Sequence, residues 1–538
     1  MSLSPPVLPR VSDYIDWIAG RTPSAVALVL GGDRLTYSDL AEQVDRLARS
    51  LLNAGVAKGD RVATLQTPHP QFIVAFLATA SIGGIWLGLN PKYRLEELRH
   101  AVSDAKPKVL LSRTTIGDRA YGEEIAALAA TAGLERVVVF DGDPTAPGAV
   151  SLASFLLEGE DVPDATLAGA RLACGGRDPC LIVYTSGSTG KPKGALLHHE
   201  GISSFSVEQN RIWPVATYRS LNFLPINHVG SIVDISMPTL AGGGELHFME
   251  HFDAQSSLEL IEREKITVWA SVPSVFSLQM QVPTFGRYDL SHVEIIIWEG
   301  AAMPEEMIRR LAGITPRLAT NYGMTETTSA ITVLEPTCDL GLLSETVGEP
   351  FPGVEVRLAD DAGRPVADGQ EGEIQARSKY NLLGYWQNPA ATVAAFTPDG
   401  FFRTGDLGVR RPDGRYRIVG RLTEMFKSGG YNVYPREVEV AIESHAAVAL
   451  AAVVSIPDAT WQEIGVAYVV PRTGADLKPE DLEAWCRERL ANYKVPKRFV
   501  IKRDLPLLPI GKVDRTALQN QARQPMSGAE AAGVQSRR

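Results

Sequence analysis

The chain has 538 residues, 45% of them hydrophobic and 22% charged, and a formal net charge of −10 at pH 7. At on the order of 100–200 residues per domain this leaves room for a large body and at least one further domain, and an acidic balance with no basic stripe excludes a protein that tracks a nucleic-acid backbone. The four cysteines, Cys174, Cys180, Cys338 and Cys486, show no CxxC spacing and no paired His motif, which excludes a structural zinc site and fits reduced thiols.

The opening Met1-Ser2-Leu3-Ser4-Pro5-Pro6 has neither a basic n-region nor an apolar h-region, so no export signal is expected and the cytoplasm is the expected compartment. Val62 to Pro91 contains no Asp, Glu, Lys or Arg and has the length of a membrane span. Gly83-Gly84 divides it into a helical Gln71–Ile82 and a short strand Ile85–Leu89, however, which is the pattern of a buried α/β layer. Apolar strand runs at Arg61–Leu65, Lys108–Leu111, Val137–Phe140, Leu181–Tyr184, Ser220–Leu224, Thr267–Ala270 and Val293–Trp298 alternate with helical patterns, predicting mostly parallel sheets covered on both faces. Near Val354–Arg357 and Gly372–Arg377 short strands and Asp-Gly turns predict a small β-rich layer. Beyond Gly420-Arg421 a compact unit begins, with a helix opening at Pro435, strands at Val448–Ile456 and Gly465–Val470 and a helix over Pro479–Leu490. Residues 525–538 have no apolar period and are expected to be disordered.

The densest chemical signal is Tyr184-Thr185-Ser186-Gly187-Ser188-Thr189-Gly190-Lys191-Pro192-Lys193-Gly194, placed directly after a strand. Glycines let backbone N–H groups converge on phosphate oxygens, hydroxyls add donors and lysine adds charge, a combination suited to a polyphosphate. It is not a Walker A loop, because the GxxxxGK[ST] spacing fails and Pro192 follows Lys191.

This segment resembles the signature loop of the adenylate-forming superfamily, which includes acyl-CoA synthetases, aryl-CoA ligases, firefly luciferases and peptide-synthetase adenylation domains. The resemblance runs from about residue 10 to residue 523 and rests on further motifs in the same order. It implies ATP contacts at Thr185, Ser186, Gly187, Ser188, Thr189, Gly190 and Lys193. In Asn321-Tyr322-Gly323-Met324-Thr325-Glu326 it implies an adenine-stacking Tyr322, an α-phosphate contact at Thr325 and magnesium at Glu326, although Glu326 also reads as a solvated loop acid. Gly300-Ala301-Ala302 matches a turn lying against adenine and the acyl pocket, with Trp298-Glu299 unusual before it. Asp406 in Thr404-Gly405-Asp406 and Arg421 fifteen residues later match a pair that holds the ribose hydroxyls. Lys512, in Pro509-Ile510-Gly511-Lys512-Val513-Asp514-Arg515, matches the lysine that stabilises the crowded anionic transition state of adenylation.

By the same resemblance Lys427, Ser428, Gly429 and Gly430 face the site during thioester formation, and Trp461 lies near the pantetheine arm, its other reading being a core tryptophan. His228 matches a gate of the acyl pocket or a satisfied core histidine; Asp234 could pair with a substrate amine but reads rather as structural, and Gly242-Gly243-Gly244 leaves room for a bulky acyl group or forms a turn. The hinge position is Thr423, with Glu424 after it, where the family typically has Asp or Lys. The implied fold is α/β: a large N-terminal domain, residues 1–421, of two α/β subdomains with parallel-rich sheets plus a small β-rich subdomain, a hinge at 422–424, and a small mobile α+β C-terminal domain at 425–524. The implied activity is ATP-dependent acyl-CoA ligation through acyl-AMP, with ATP, Mg2+ and coenzyme A as cofactors and a small carboxylic acid as partner. Two alternatives stay open: transfer to an acyl-carrier protein or a separate thiolation enzyme, and luciferase-like oxidation of an adenylate. Nucleic acid and a membrane span are not expected, and a homodimer is compatible with the sequence.

Overall fold

The computed structural model describes residues 5–131, 133–144, 146–185, 192–472, 474–508 and 512–524, so the tail at 525–538 lies outside it. Two large sheets form its body. One has nine strands, in the order Glu349–Pro350, Ala330–Val333, Leu318–Gly323, Ile295–Trp298, Val268–Ser271, Arg219–Asn222, Glu245–Phe248, Val26–Leu30 and Asp33–Thr36. Its run from Leu318–Gly323 to Val26–Leu30 is parallel throughout. The other has eight strands, with a parallel run from Pro179–Thr185 through Ile85–Leu89, Arg61–Leu65, Val109–Ser112 and Arg136–Val139 to Val150–Ser151.

The uncharged stretch at 62–91 explains how the two sheets pack. The helix Pro70–Ser81 starts with Pro70 at its first position, and the His69 side chain accepts from Gln71 N at 3.1 Å. It ends before Gly83, whose φ of +79° turns the chain back into the strand Ile85–Leu89. Eleven of its residues are buried, because it runs between the sheets: the Phe72 ring lies 6.1 Å from Trp86 of the eight-stranded sheet and 5.9 Å from Phe248 of the nine-stranded one. A charged side chain here would be desolvated on every face, which accounts for the absence of charge without a bilayer. Among the described residues no helix is long and apolar enough to cross a membrane.

A four-stranded antiparallel sheet, Val354–Ala359, Glu371–Ser378, Phe402–Arg410 and Tyr416–Arg421, forms the expected β-rich layer. The chain then enters a five-stranded sheet with its own apolar clusters, built around Val438, Ile442, Val453 and Ala467 on one side and Tyr468 and Leu518 on the other. Its central hairpin is longer than the alternation predicts, Val448–Asp458 paired with Gln462–Pro471. Pro457 is accommodated because Val448–Asp458 is an edge strand, where a missing N–H costs no ladder bond. The four cysteines are free thiols, three of them buried.

Candidate active site

The strands Val268–Ser271, Ile295–Trp298 and Leu318–Gly323 lie side by side and parallel, so their carboxyl ends open on one edge, the usual ligand-binding edge of an α/β sheet. Gly300 follows the middle strand at a φ of +79°, with Ala301 and Ala302 exposed beyond it. Asn321, Tyr322 and Gly323 close the next strand, and a tight turn, Thr325–Thr327, carries Thr325 and Glu326. A β-carbon on Gly323 would run into the Ser329 carbonyl, so only glycine fits.

The eight-stranded sheet reaches the same place through the end of Pro179–Thr185. The Thr185 hydroxyl donates to Glu326 Oε1 at 3.2 Å, and the Tyr385 hydroxyl donates to the same oxygen at 3.0 Å. The Lys193 ammonium lies 4.4 Å from the Tyr385 ring centroid. Ser186, Gly187, Ser188, Thr189 and Gly190 lie outside the described residues, as does Lys191. On the β-rich layer, Asp406 is buried and accepts from Arg421 Nε at 2.7 Å and from the Tyr322 hydroxyl at 2.8 Å. Tyr322, Asp406 and Arg421 therefore meet.

Lys512 joins them from the far end of the chain. It sits on a short hairpin closed by Leu508 N to Lys512 O at 2.7 Å and Asp514 N to Pro506 O at 2.8 Å. Residues 509–511 lie outside the described set. A β-carbon on Gly300 would come within 2.8 Å of Lys512 Cε, so the aliphatic stem of Lys512 lies directly on the Gly300 turn. Burial lowers the Lys512 pKa, the Arg421 charge lowers it further, and Asp406, Glu299 and Asp234 oppose the shift. His228 is pushed down to about 3 by burial and then by the Lys512 charge. Its Nδ1 accepts from Gly230 N at 3.1 Å, so the neutral ring carries its proton on Nε2.

Sequence reasoning missed several residues here. Tyr385 had no motif around it. Asp234 was weighed as a partner for a substrate amine and read rather as structural, and Glu299 only as an unusual neighbour of the Gly300 turn; the pairing of the two carboxyl groups within the electrostatic reach of Lys512 was not foreseen. Asp234 lies on a π-helical turn, Gly230–Ser236, pinned where Asn222 Nδ2 donates to Ser231 O and to Ser236 Oγ. Arg515 was part of the quoted motif with no role of its own. It bonds Glu439, which is 1% exposed, at 2.7 Å and lies 3.4 Å from Glu424, beside the expected hinge residue Thr423. Two acids in distant segments leave no spacing signal, so only the fold could pair them.

Lys427, Ser428, Gly429, Gly430 and Trp461 gather in a second place, within the C-terminal unit. Gly429 N donates to Trp461 O at 2.8 Å, and a β-carbon on Gly429, whose φ is +59°, would lie 2.9 Å from the indole. Trp461 is half-buried at the turn of the long hairpin, with Lys497 Nζ 4.7 Å from its ring centroid. Core packing alone does not account for an indole left partly open at a hairpin tip.

A parallel-sheet edge met by a lysine from a C-terminal unit with its own apolar clusters is the arrangement that the adenylate-forming resemblance implies. The profile of the AMP-binding enzyme family matches residues 15–386 and that of the AMP-binding enzyme C-terminal domain matches 437–512, so the chain belongs to this family, among its acyl-CoA ligases. It is 34% identical to a feruloyl-CoA synthase from an Amycolatopsis species, over 92% of this chain and 95% of that one. It is 33% identical to an indoleacetate–CoA ligase of Aromatoleum aromaticum, over 94% and 96%. The amide bond synthetase McbA of Marinactinospora thermotolerans superposes with a TM-score of 0.83 at 29% identity, covering 95% of this chain and 99% of that one.

Proposed function

We propose that the chain activates a small carboxylic acid with ATP and passes the acyl group to coenzyme A. The substrate carboxylate attacks the α-phosphorus, the bond to pyrophosphate breaks, and acyl-AMP forms; a thiolate then attacks the acyl carbon, AMP leaves, and the thiol proton passes to solvent. The observation that carries this reading is Lys512 lying on the Gly300 turn beside the Tyr322–Asp406–Arg421 group. An ammonium held there offsets the repulsion between a carboxylate and a triphosphate, which is the main electrostatic barrier to adenylation.

In this reading Tyr322, Asn321, Gly323, Gly300, Ala301 and Ala302 hold the adenine, Asp406 and Arg421 the ribose, and Thr185 to Gly190, Lys193 and Thr325 the phosphates. Glu326 fits a magnesium ion shared with phosphate oxygens: it is a hard carboxylate, and both of its described hydrogen bonds fall on Oε1. Magnesium there would neutralise phosphate charge. His228, neutral and partly open, gates the acyl side. The division at 1–421, 422–424 and 425–524 supplies a rotation about Thr423, which withdraws Lys512 and brings Lys427, Ser428, Gly429, Gly430 and Trp461 to the adenylate. Support comes from the two separate clusters and from an exposed Thr423 between them. Free thiols suit a cytoplasmic enzyme.

The test is a panel of carboxylic acids assayed for pyrophosphate release with and without coenzyme A. Acid-dependent release with acyl-CoA formed only when coenzyme A is present is the expected result; no acid-dependent release from any acid overturns the reading. Adenylate that accumulates while coenzyme A stays unused would favour a carrier-protein acceptor, the reading to which Thr423 at the hinge lends weight.

A further inference from the structure

The ligase reading leaves two neighbouring acids without a task, Asp234, which is buried, and Glu299, which is partly so. Asp234 is 8% exposed, and its Oδ1 has no hydrogen-bond partner among the described residues. Glu299 stands at the end of the strand Ile295–Trp298, with its N–H on Ser271 O at 3.2 Å and its Oε1 accepting from Asn321 Nδ2 at 3.0 Å. One strand over, Ser271 Oγ is also buried without a partner. Burial raises both carboxyl groups, Asp234 to about 6 and Glu299 well above the usual range, the latter further by the Asp234 charge beside it. Hydrogen bonds from Ser329 and Glu299 favour the charged form of Asp234, whereas the Asp234 charge disfavours ionisation of Glu299.

Two like carboxyl groups side by side out of water are costly, and the one ammonium that faces them, Lys512, also faces Asp406. Their place is informative. Glu299 precedes Gly300, on which the stem of Lys512 lies, and Asp234 on the π-helical turn acts on the same ammonium, so the pair stands beside the place where a substrate carboxylate would meet Lys512. The π turn inserts an extra residue, a device often found where a helix must present one side chain to a ligand.

Resting on the ligase reading, we propose that Asp234 and Glu299 are the acceptor end of the acyl pocket and select carboxylic acids whose tail carries a hydrogen-bond donor, a hydroxyl or an ammonium group. An apolar tail would leave Asp234 Oδ1 unpaired in a dry site, and a buried polar group left unpaired rejects such an analogue more strongly than a poorly filled pocket does.

The experiment uses matched triplets of phenylacetate, 3-phenylpropanoate, cinnamate and octanoate, each with a methyl, a hydroxyl or an amino group at one tail position, read as kcat/KM for pyrophosphate release. The wild type is expected to favour a donor-bearing member over its methyl partner by about tenfold or more in at least one series. Asp234→Asn and Glu299→Gln, each near-isosteric, are expected to bring that ratio below about threefold. A wild type with no preference in any series, or a preference that survives both substitutions, overturns the proposal while leaving the ligase reading intact. Equal loss on all three members would make the pair a counter-charge for Lys512 and also overturn it. Silence from every acid overturns both readings together.

Discussion

Replacing Asp234 with asparagine isolates one buried charge. In the free protein burial raises the Asp234 carboxyl from 3.8 to about 6, with Glu299 remaining protonated and Lys512 the cation that opposes the shift. A folded-state pKa above the unfolded value means that the folded protein holds this proton more tightly than the open chain does. The associated stability is whole below about pH 4, drains as the pH rises through about 6, and is gone above that. At about 1.4 kcal/mol per pH unit, a rise from 3.8 to about 6 amounts to at most about 3 kcal/mol. Asparagine does not titrate, so Asp234→Asn should gain stability relative to wild type between pH 4.5 and pH 7 and hold a constant margin from pH 7 to 8. The assay is urea unfolding of the two proteins across that range, followed by near-ultraviolet circular dichroism of the large domain. A difference that does not change with pH, or that shrinks as the pH rises, would refute the burial argument.

Further outcomes follow from the same geometry. Lys512→Ala should slow acid-dependent pyrophosphate release by about two to three orders of magnitude, while acyl transfer from supplied acyl-AMP to coenzyme A continues; equal loss of both half-reactions would count against its assignment. Gly300→Ala puts a β-carbon within 2.8 Å of Lys512 Cε at a φ of +79°, and about tenfold slower adenylation is expected from a lysine displaced by even an ångström, measured as pyrophosphate exchange. Gly429→Ala, crowding Trp461 at 2.9 Å, should raise the KM for coenzyme A with adenylation unchanged. Arg515→Met leaves Glu439 with only Arg436 as a close cation among the described residues and should cost the C-terminal unit about 3–5 kcal/mol, read as hydrogen exchange in Val448–Asp458.

Why some of this was legible in the sequence and some was not is a matter of interaction range. Gln71–Ile82 was read as a helix to within a residue at each end, because Pro70 and Gly83 mark its limits locally and absence of charge over thirty positions is itself a statement about burial. The residues proposed to meet the nucleotide stand out in the sequence for a similar reason. A phosphate must be met by several donors at once, and consecutive backbone groups are the simplest way to supply them, so the chemistry is written in short runs such as 184–194 and 321–326. Arg421 and Asp406, fifteen residues apart, fall on neighbouring antiparallel strands whose register pairs them directly. The acid pair had no such trace. Asp234 comes from a π-helical turn and Glu299 from a strand end sixty-five residues later, each ordinary in its own window, and their meaning depends on a desolvation that neither neighbourhood reports. Tyr385 reaches Glu326 from the edge strand Gly384–Tyr385, which the alternation pattern is too short to announce. Candidate nucleotide contacts, written in local runs, can thus be proposed from the chain alone, whereas the pairing of Asp234 with Glu299, made by single side chains on distant elements, becomes visible only once the fold has brought those elements together.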